Sequence, residues 1–440
     1  MRRPTLVPPD PTTDPVYLTA AAISSLIQTL PSGTAYFVGI VLIAMMTGRL
    51  VQHKGSLARA VFPLVASLRW GWHRAERGKF SLDALVERAH DWCPENPEVE
   101  AVRLGKHQRQ VHALDTTTIA RWRCQSQKVA LLGKGYDHRA KRAIKANLCA
   151  ALVSVVLIRG IRVPLLRCVR FGTSEEAAVE LVFKEVEPWE GYHLIIVDAK
   201  LATKAQFAQA SAEQALAGRL RSNCKLRCEP KPRRNKKNKQ NRARGRPPKH
   251  GAVLHPGRGR PEVKPDEDFT LEVEGRKIRV RRWNHLHFAE YAETKPDVLR
   301  IDDPKYTDPL LVGTTARELK TEELLQVYPH RWPVETLFYI GAETTGTEQP
   351  RAWTEQATER RIGLGLVSAS LLKAIAASTE AMALGPWDKK PQPTAGRLAN
   401  HLDLHAAEFQ ALSLQGVALR NYRKNPKRTQ TQDLTLKKAA

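Results

Sequence analysis

The chain lacks an apolar run long enough to cross a bilayer. Its longest, Phe37 to Met46, falls well short of the ~20 residues that a membrane helix needs. It also lies too far along the chain to be the core of a signal peptide. Nor does the chain have the cysteine pattern of a stapled fold. Cys93, Cys124, Cys149, Cys168, Cys224 and Cys228 are scattered over long intervals, which excludes a secreted disulfide framework and points to a reducing, cytoplasmic setting. Only Cys224 and Cys228 are close together, and no second Cys or His pair follows at finger-like spacing, which argues against a zinc site. The third shortage is of acid. Against 70 Lys and Arg there are 45 Asp and Glu, a net charge of +25 and a pI near 10.0. Such an excess says nothing about fold but favours a polyanionic partner, nucleic acid above all.

What is present fits a globular chain of 440 residues, long enough for two or three domains with cores of their own. Residues 1–16 are rich in Pro and Thr and read as disordered. From about 17 to 104 the text is helical: Leu18 to Leu30, a break at Ser32-Gly33, then Tyr36 to Leu50. A capped turn follows from Ser81, and Arg49, Lys54, Arg59, Arg69 and Arg74 recur as basic residues. At Gln110 the texture changes. Val111 to Thr118 is β-favouring with Asp115 near its middle. Leu152–Arg159 and Arg162–Phe171, separated by Gly160, read as two further strands. Thr173 to Lys184 reads as a helix with a Thr/Ser cap. The aliphatic run from His193 ends in Asp198, as a strand buried on both faces should. Ala202 to Leu220 reads as the next helix and Arg219 to Cys228 as another strand. If the strand ending at Asp198 pairs beside the first, Asp115 and Asp198 come out adjacent.

From Lys231 to Arg260 there are twelve Lys and Arg and no acid, with Pro and Gly throughout. This segment cannot bury a core. Within it Arg244-Gly245-Arg246-Pro247 resembles the core of an AT-hook, whose arginines enter a narrow A·T minor groove; Lys249 follows. Phe269 to Trp283 alternates around Glu274-Gly275 as a hairpin. Val298–Ile301 and Pro309–Thr314 read as strands, with Asp302, Asp303 and Asp308 as turn formers. Trp353 to Ala377 is a long helical stretch.

The densest chemistry is in residues 328–335, Tyr-Pro-His-Arg-Trp-Pro-Val-Glu. Positions i, i+3 and i+7 share a helix face, so Tyr328, Arg331 and Glu335 can address one ligand. Pro333 belongs in a first helical turn, with Glu335 just inside the helix and Tyr328 and Arg331 in the turn before it. Taken with Asp115 and Asp198, Glu335 completes a set of three carboxylates. Carboxylates brought together repel unless cations neutralise them, and oxygen-only ligands suit Mg²⁺ or Mn²⁺. Two such ions would serve an in-line phosphodiester displacement. Arg331 would clamp a phosphate through its fork, and Tyr328 would hold a phosphate or stack on a base. His330 is given no role.

Leu114-Asp115-Thr116-Thr117, Ile196-Val197-Asp198-Ala199 and Tyr328-Pro-His-Arg331-Trp332-Pro-Val-Glu335, in that order, resemble bacterial insertion-sequence transposases of the DDE class, over about residues 105–375. More narrowly they resemble the group with a Tyr-x-x-Arg-x-x-x-Glu signature and a β-rich insertion before the glutamate helix. The run Arg246 to Gly251 also resembles a segment that precedes the inserted strands in that group. The resemblance implies an α/β fold with a ribonuclease-H-like mixed sheet flanked by helices. It also implies Asp115, Asp198 and Glu335 as catalytic residues and ligands of two Mg²⁺ or Mn²⁺ ions, and Tyr328, Arg331, Trp332, Arg244, Arg246 and Lys249 as DNA contacts. The partner would be double-stranded DNA, bound as a homodimer on paired element ends in the bacterial nucleoid.

The implied domains are a helical N-terminal DNA-binding domain (1–104) and a catalytic domain in two parts (105–228 and 321–377). Between those parts come a basic flexible arm (229–266) and a β-rich insertion (267–320), and a helical basic C-terminal region (378–440) follows. Some relatives form a hairpin at the element end with a tryptophan stacked on a flipped base, for which Trp332 and Trp283 are the candidates. One position departs from the group: its signature continues to a Lys seven residues after the Glu, and here that residue is Ala342. Two other readings stay open, a nuclease of the same fold that cuts without joining and a DNA-binding protein without cleavage.

Overall fold

The computed structural model describes residues 13–61, 73–93, 99–121, 131–137, 141–230, 249–258, 262–352, 354–385 and 387–417. The arm bearing Arg244 and Arg246, Trp353 and residues 418–440 lie outside them. The N-terminal region begins with helices α1 (Pro15–Gln28), capped by Asp14, and α2 (Ser32–Met46). A later helix, α3 (Leu82–Trp92), is capped by Ser81.

Five strands make the central sheet: β1 (Arg109–Ala120), β2 (Arg142–Ile158), β3 (Ile161–Gly172), β4 (His193–Val197) and β5 (Gln214–Arg219). Helix α4 (Glu175–Val186) joins β3 to β4, and the short α5 (Lys204–Gln209) joins β4 to β5. The strands lie in the order β3-β2-β1-β4-β5, the first three antiparallel, with β4 parallel to both β1 and β5. Parallel neighbours need crossover connections, and α4 and α5 supply them. Every residue of β4 is buried, which is why it reads as one aliphatic run.

Some of the expected elements differ: the strand expected as Leu152–Arg159 begins at Arg142, and Asp302, expected in a turn, ends a strand. Ala202 to Leu220 is not one helix: six residues are helical and Gln214 to Arg219 is a strand. The Ala-rich text Gln-Ala-Leu-Ala-Gly has helical propensity, but the small side chains fit a buried strand whose two flanks are both hydrogen-bonded. Nor is Arg219–Cys228 one strand: Arg219 ends the strand before it, and Leu226–Arg227 pairs with Val253–Leu254.

The strands expected as an insertion are β6 (Glu267–Val273), β7 (Arg276–Trp283), β8 (Asp297–Asp302) and β9 (Leu310–Thr314). The β6–β7 hairpin turns at Glu274-Gly275, both at positive φ (51° and 73°), the geometry that matches strand twist. β9 pairs antiparallel with β5, so the insertion continues the central sheet.

Helix α6 (Thr321–Val327), a 3₁₀ turn over Tyr328–Arg331 and helix α7 (Trp332–Ile340) follow without a break. A π-helical turn (Gly341–Thr345) leads towards α8 (Glu355–Ser378), capped by Thr354, and among the described residues α9 (Ala395–Leu404) and α10 (Ala406–Ser413) come last. The alternation along β1 and β2 sorts the core. Val111, Ala113, Ala151 and Val153 face α1, α2, α7 and α8, whereas Leu114, Ala150 and Leu152 face α4.

Among the described residues α8 is the one helix long and apolar enough to cross a membrane, and it is mostly buried within the fold. It anchors the N-terminal region through two buried arginines. Arg361 pairs with Glu76 at 3.2 Å and donates to the Gly55 carbonyl. Arg360 donates to the carbonyls of Glu76, Gly78 and Phe80 and lies over the Phe80 ring.

A buried polar chain crosses the other side of the sheet. His90 Nε2 lies 3.1 Å from Ser154 Oγ, Ser154 Oγ 3.3 Å from His112 Nδ1, His112 Nε2 3.0 Å from His193 Nδ1, and His193 Nε2 2.9 Å from the Glu190 carbonyl. Arg167 Nη1 caps it at His90 Nδ1 (3.2 Å). With each histidine protonated on Nε2 alone, every link has one donor and one acceptor. Burial, foremost, and the neighbouring Arg167 lower all three histidine pKa values, that of His90 to about 4.

Candidate active site

The parallel register of β1 and β4 pairs Ala113 with Ile196. Carried two residues on, the same register sets Asp115 opposite Asp198, just beyond the end of β4. Ligands of open α/β sheets sit at this carboxyl edge of the parallel strands. The side chain of Asp115 points to the face covered by α7, since it follows Val111 and Ala113 in alternation. The 3₁₀ turn Tyr328–Arg331 packs over β1, β4 and β5 and delivers α7 to the same place. Pro333 occupies the first turn of α7, with Glu335 one residue further in than Val334, as the sequence spacing predicts.

Backbone groups hold one oxygen of each aspartate. Asp115 Oδ1 accepts from the Thr116 N–H at 2.8 Å, and Asp198 Oδ1 accepts from the N–H groups of Lys200 and Leu201, both at 2.9 Å. The second oxygen of Asp115 faces Arg331. Arg331 Nη1 lies 3.4 Å from Asp115 Oδ2 and 2.5 Å from Glu335 Oε1, so a guanidinium stands between two of the three carboxylates. Burial pushes the Asp115 carboxyl up to about 6. The Thr116 N–H and Arg331 pull it down, and the charges of Asp198 and Glu335 raise it further. Burial disfavours the Arg331 charge, but Tyr328, Glu335 and Asp115 more than offset it and its pKa is raised.

The rest of the guanidinium is pre-positioned. Arg331 is 7% exposed, lies over the rings of Tyr328 and Trp332 (5.5 and 4.7 Å to the centroids), and keeps a buried Nε with no hydrogen-bond partner. An unmet donor of that kind costs free energy, and an anionic oxygen would satisfy it. Trp332 is 55% exposed beside the site. Trp283, the other candidate for stacking on a base, is buried to 1%, and its Nε1 donates to the Val263 carbonyl, so it is a core residue. His330 is buried and accepts from Arg162 Nε at 3.2 Å; burial, then Arg162, lowers its pKa to about 4, and it takes no part in the cluster. Lys249 is exposed at the edge of the basic arm. Ala342 lines a cavity of about 220 Å³ with Thr117, Phe338 and Tyr339.

The spacing of motifs missed a second layer behind Asp115. Glu175, the first residue of α4, accepts from Thr116 Oγ1 at 2.8 Å and from Lys200 Nζ. Burial raises the Glu175 pKa, but Lys200 and Thr116 outweigh burial and hold it below the usual range. Its place after a Ser cap reads in sequence only as helix chemistry.

The donor set is three carboxylates, the kind of ligand that Mg²⁺ and Mn²⁺ take. Asp115, desolvated and flanked by two further acids, is a group that a cation would relieve. Among the described residues, however, no three His, Cys, Asp or Glu side chains converge closely enough to form a ready cage, and the cationic place beside Asp115 and Glu335 is filled by Arg331. In comparisons with known proteins, no family model matches the chain and no curated protein matches it.

Proposed function

We propose that the chain is a metal-dependent DNA transposase of the DDE class, which cuts the ends of an insertion sequence and joins the freed 3′-OH to target DNA. The observation that carries this reading is the register that sets Asp115 opposite Asp198 on two parallel strands, with Arg331 joining the desolvated Asp115 carboxyl to Glu335 on a late helix. The strand order β3-β2-β1-β4-β5, with the first three antiparallel, supports a ribonuclease-H-like sheet. Asp115, Asp198 and Glu335 would hold Mg²⁺ or Mn²⁺, which when bound would activate the attacking hydroxyl and steady the leaving oxygen. The protein's own part is to position. Backbone N–H groups fix one oxygen of each aspartate. Arg331, held over the Tyr328 and Trp332 rings, would offer its guanidinium to a DNA phosphate. Trp332 offers a face to a base. The net charge of +25 draws in the duplex, and acting on two paired ends implies a dimer.

Purified protein with Mg²⁺ or Mn²⁺ and the DNA flanking its reading frame is expected to cleave at short inverted repeats. Asp115→Asn, Asp198→Asn and Glu335→Gln are each expected to abolish cleavage without loss of fold by circular dichroism. Cleavage that survives all three sinks the reading, and cleavage without joining of pre-cut ends converts it to a nuclease. The second reading, a DNA-binding protein without cleavage, is favoured by Ala342 and by Arg331 closing the site. It predicts salt-sensitive binding unchanged by the three substitutions and no cleavage with either metal.

A further inference from the structure

The loop that leaves Asp198 forms one wall of a cavity of about 350 Å³, and the loop that leaves β5 forms the other. Leu220 and Phe288 give it an apolar floor, while its rim carries Lys200, Lys204, Arg221 and Lys225, all exposed. Lys200 is tied to Glu175, and Lys204 to Glu290 at 2.8 Å. Arg221 and Lys225 have no carboxylate partner among the described residues. Four like charges around one groove repel one another, and nothing within the groove offsets two of them. The rim is also continuous with the carboxylate cluster. The Lys200 N–H donates to Asp198 Oδ1, and Glu175 links the Lys200 ammonium to Thr116, the neighbour of Asp115. A cation is missing at Ala342, beyond Glu335; here cations stand on the opposite side, beyond Asp198.

We propose that this groove binds the phosphodiester backbone of the DNA strand that passes through the carboxylate cluster, with Lys200, Arg221 and Lys225 neutralising neighbouring phosphates and the apolar floor receiving sugar. The inference rests on the transposase reading for the strand's path, but the groove's affinity for DNA is a separate property. Each neutralised phosphate releases counterions and steepens the fall of affinity with salt, by ~0.9 in the logarithmic slope on duplex DNA.

The test is fluorescence anisotropy of a short labelled duplex with the full chain, repeated over a range of KCl concentrations. The triple variant Lys200→Ala, Arg221→Ala, Lys225→Ala is expected to flatten the slope by about 2 to 3, whereas Lys200→Arg with Lys225→Arg keeps it. If the triple variant melts early, Lys225→Ala alone is read instead, with an expected change of about 0.9. A slope unchanged in the alanine variants overturns the groove and leaves a cleaving enzyme intact. A wild type that binds with the steep slope, loses it in the triple variant and never cleaves keeps the groove and removes the transposase reading. A wild type with no salt-dependent binding overturns both.

Discussion

Asp115 carries the sharpest conflict between stability and chemistry. Its carboxyl titrates near 3.8 in an unperturbed chain and at about 6 in the fold, chiefly through burial. Because the folded value is the higher, the folded state binds more protons between those two values, and stability falls as pH rises through that window. Above it the ionised Asp115 works against the fold. Asp115→Asn is therefore expected to stabilise the metal-free protein by about 1–3 kcal/mol above neutral pH and to lose that gain below pH ~4, while cleavage disappears. Paired thermal melts at the two pH values check this. A variant no more stable than wild type above neutral pH would show that Arg331 alone neutralises the site. Sequence reveals the order Asp, Asp, Glu and the spacing around Arg331. It does not reveal Glu175, because its bonds to Thr116 and Lys200 exist only once β1, α4 and the Asp198 loop are assembled.

At the scale of elements, α8 holds the N-terminal helices through Arg360 and Arg361. The side chains of Arg361 and Glu76 are 4% and 8% exposed, and removing one partner of a buried pair strands the other's charge. Arg361→Ala is expected to cost ~3–5 kcal/mol, seen as a lower urea midpoint, and Glu76→Gln less, since the amide still accepts a hydrogen bond. Equal stability of both variants and wild type would mean that the pair is not closed in solution. Most elements were legible because their burial imposes a period: β2 and β3 through β-branched runs, α4 and α8 through caps, and the β6–β7 hairpin through Glu274-Gly275. β5 was not. Its alanines favour a helix, and only pairing with β4 and β9, distant in sequence, overrides that preference.

For the molecule as a whole, the chain of His90, Ser154, His112 and His193 ties α3 to β1, β2 and β4. All three histidines titrate below the usual 6.5 in the fold. The unfolded state therefore takes up protons first as pH falls, and the stability they contribute is complete above pH ~6.5 and lost below it. Each contributes at most ~1.4 kcal/mol per pH unit, and Asp115, one group acting in the opposite sense, cannot balance three. The urea midpoint is expected to drop steeply from pH 7 to pH 5, and His112→Asn, already weaker at pH 7, to show a shallower drop. A midpoint constant over that range would mean that the chain is open to water.

The pairing of β9 with β5 also governs what can be cut out of this protein. The inserted strands look in sequence like a detachable module, yet they shield the outer flank of β5, two strands from Asp115. Excising residues 231–320 would leave Gln214–Arg219 as a naked edge, short, flat and almost uncharged, which is the form that recruits other chains. A trimmed chain made that way should be recovered as aggregate, whereas a version that retains β9 on a short linker should stay monodisperse in size-exclusion chromatography. These strands then serve as a cover for the sheet's open margin.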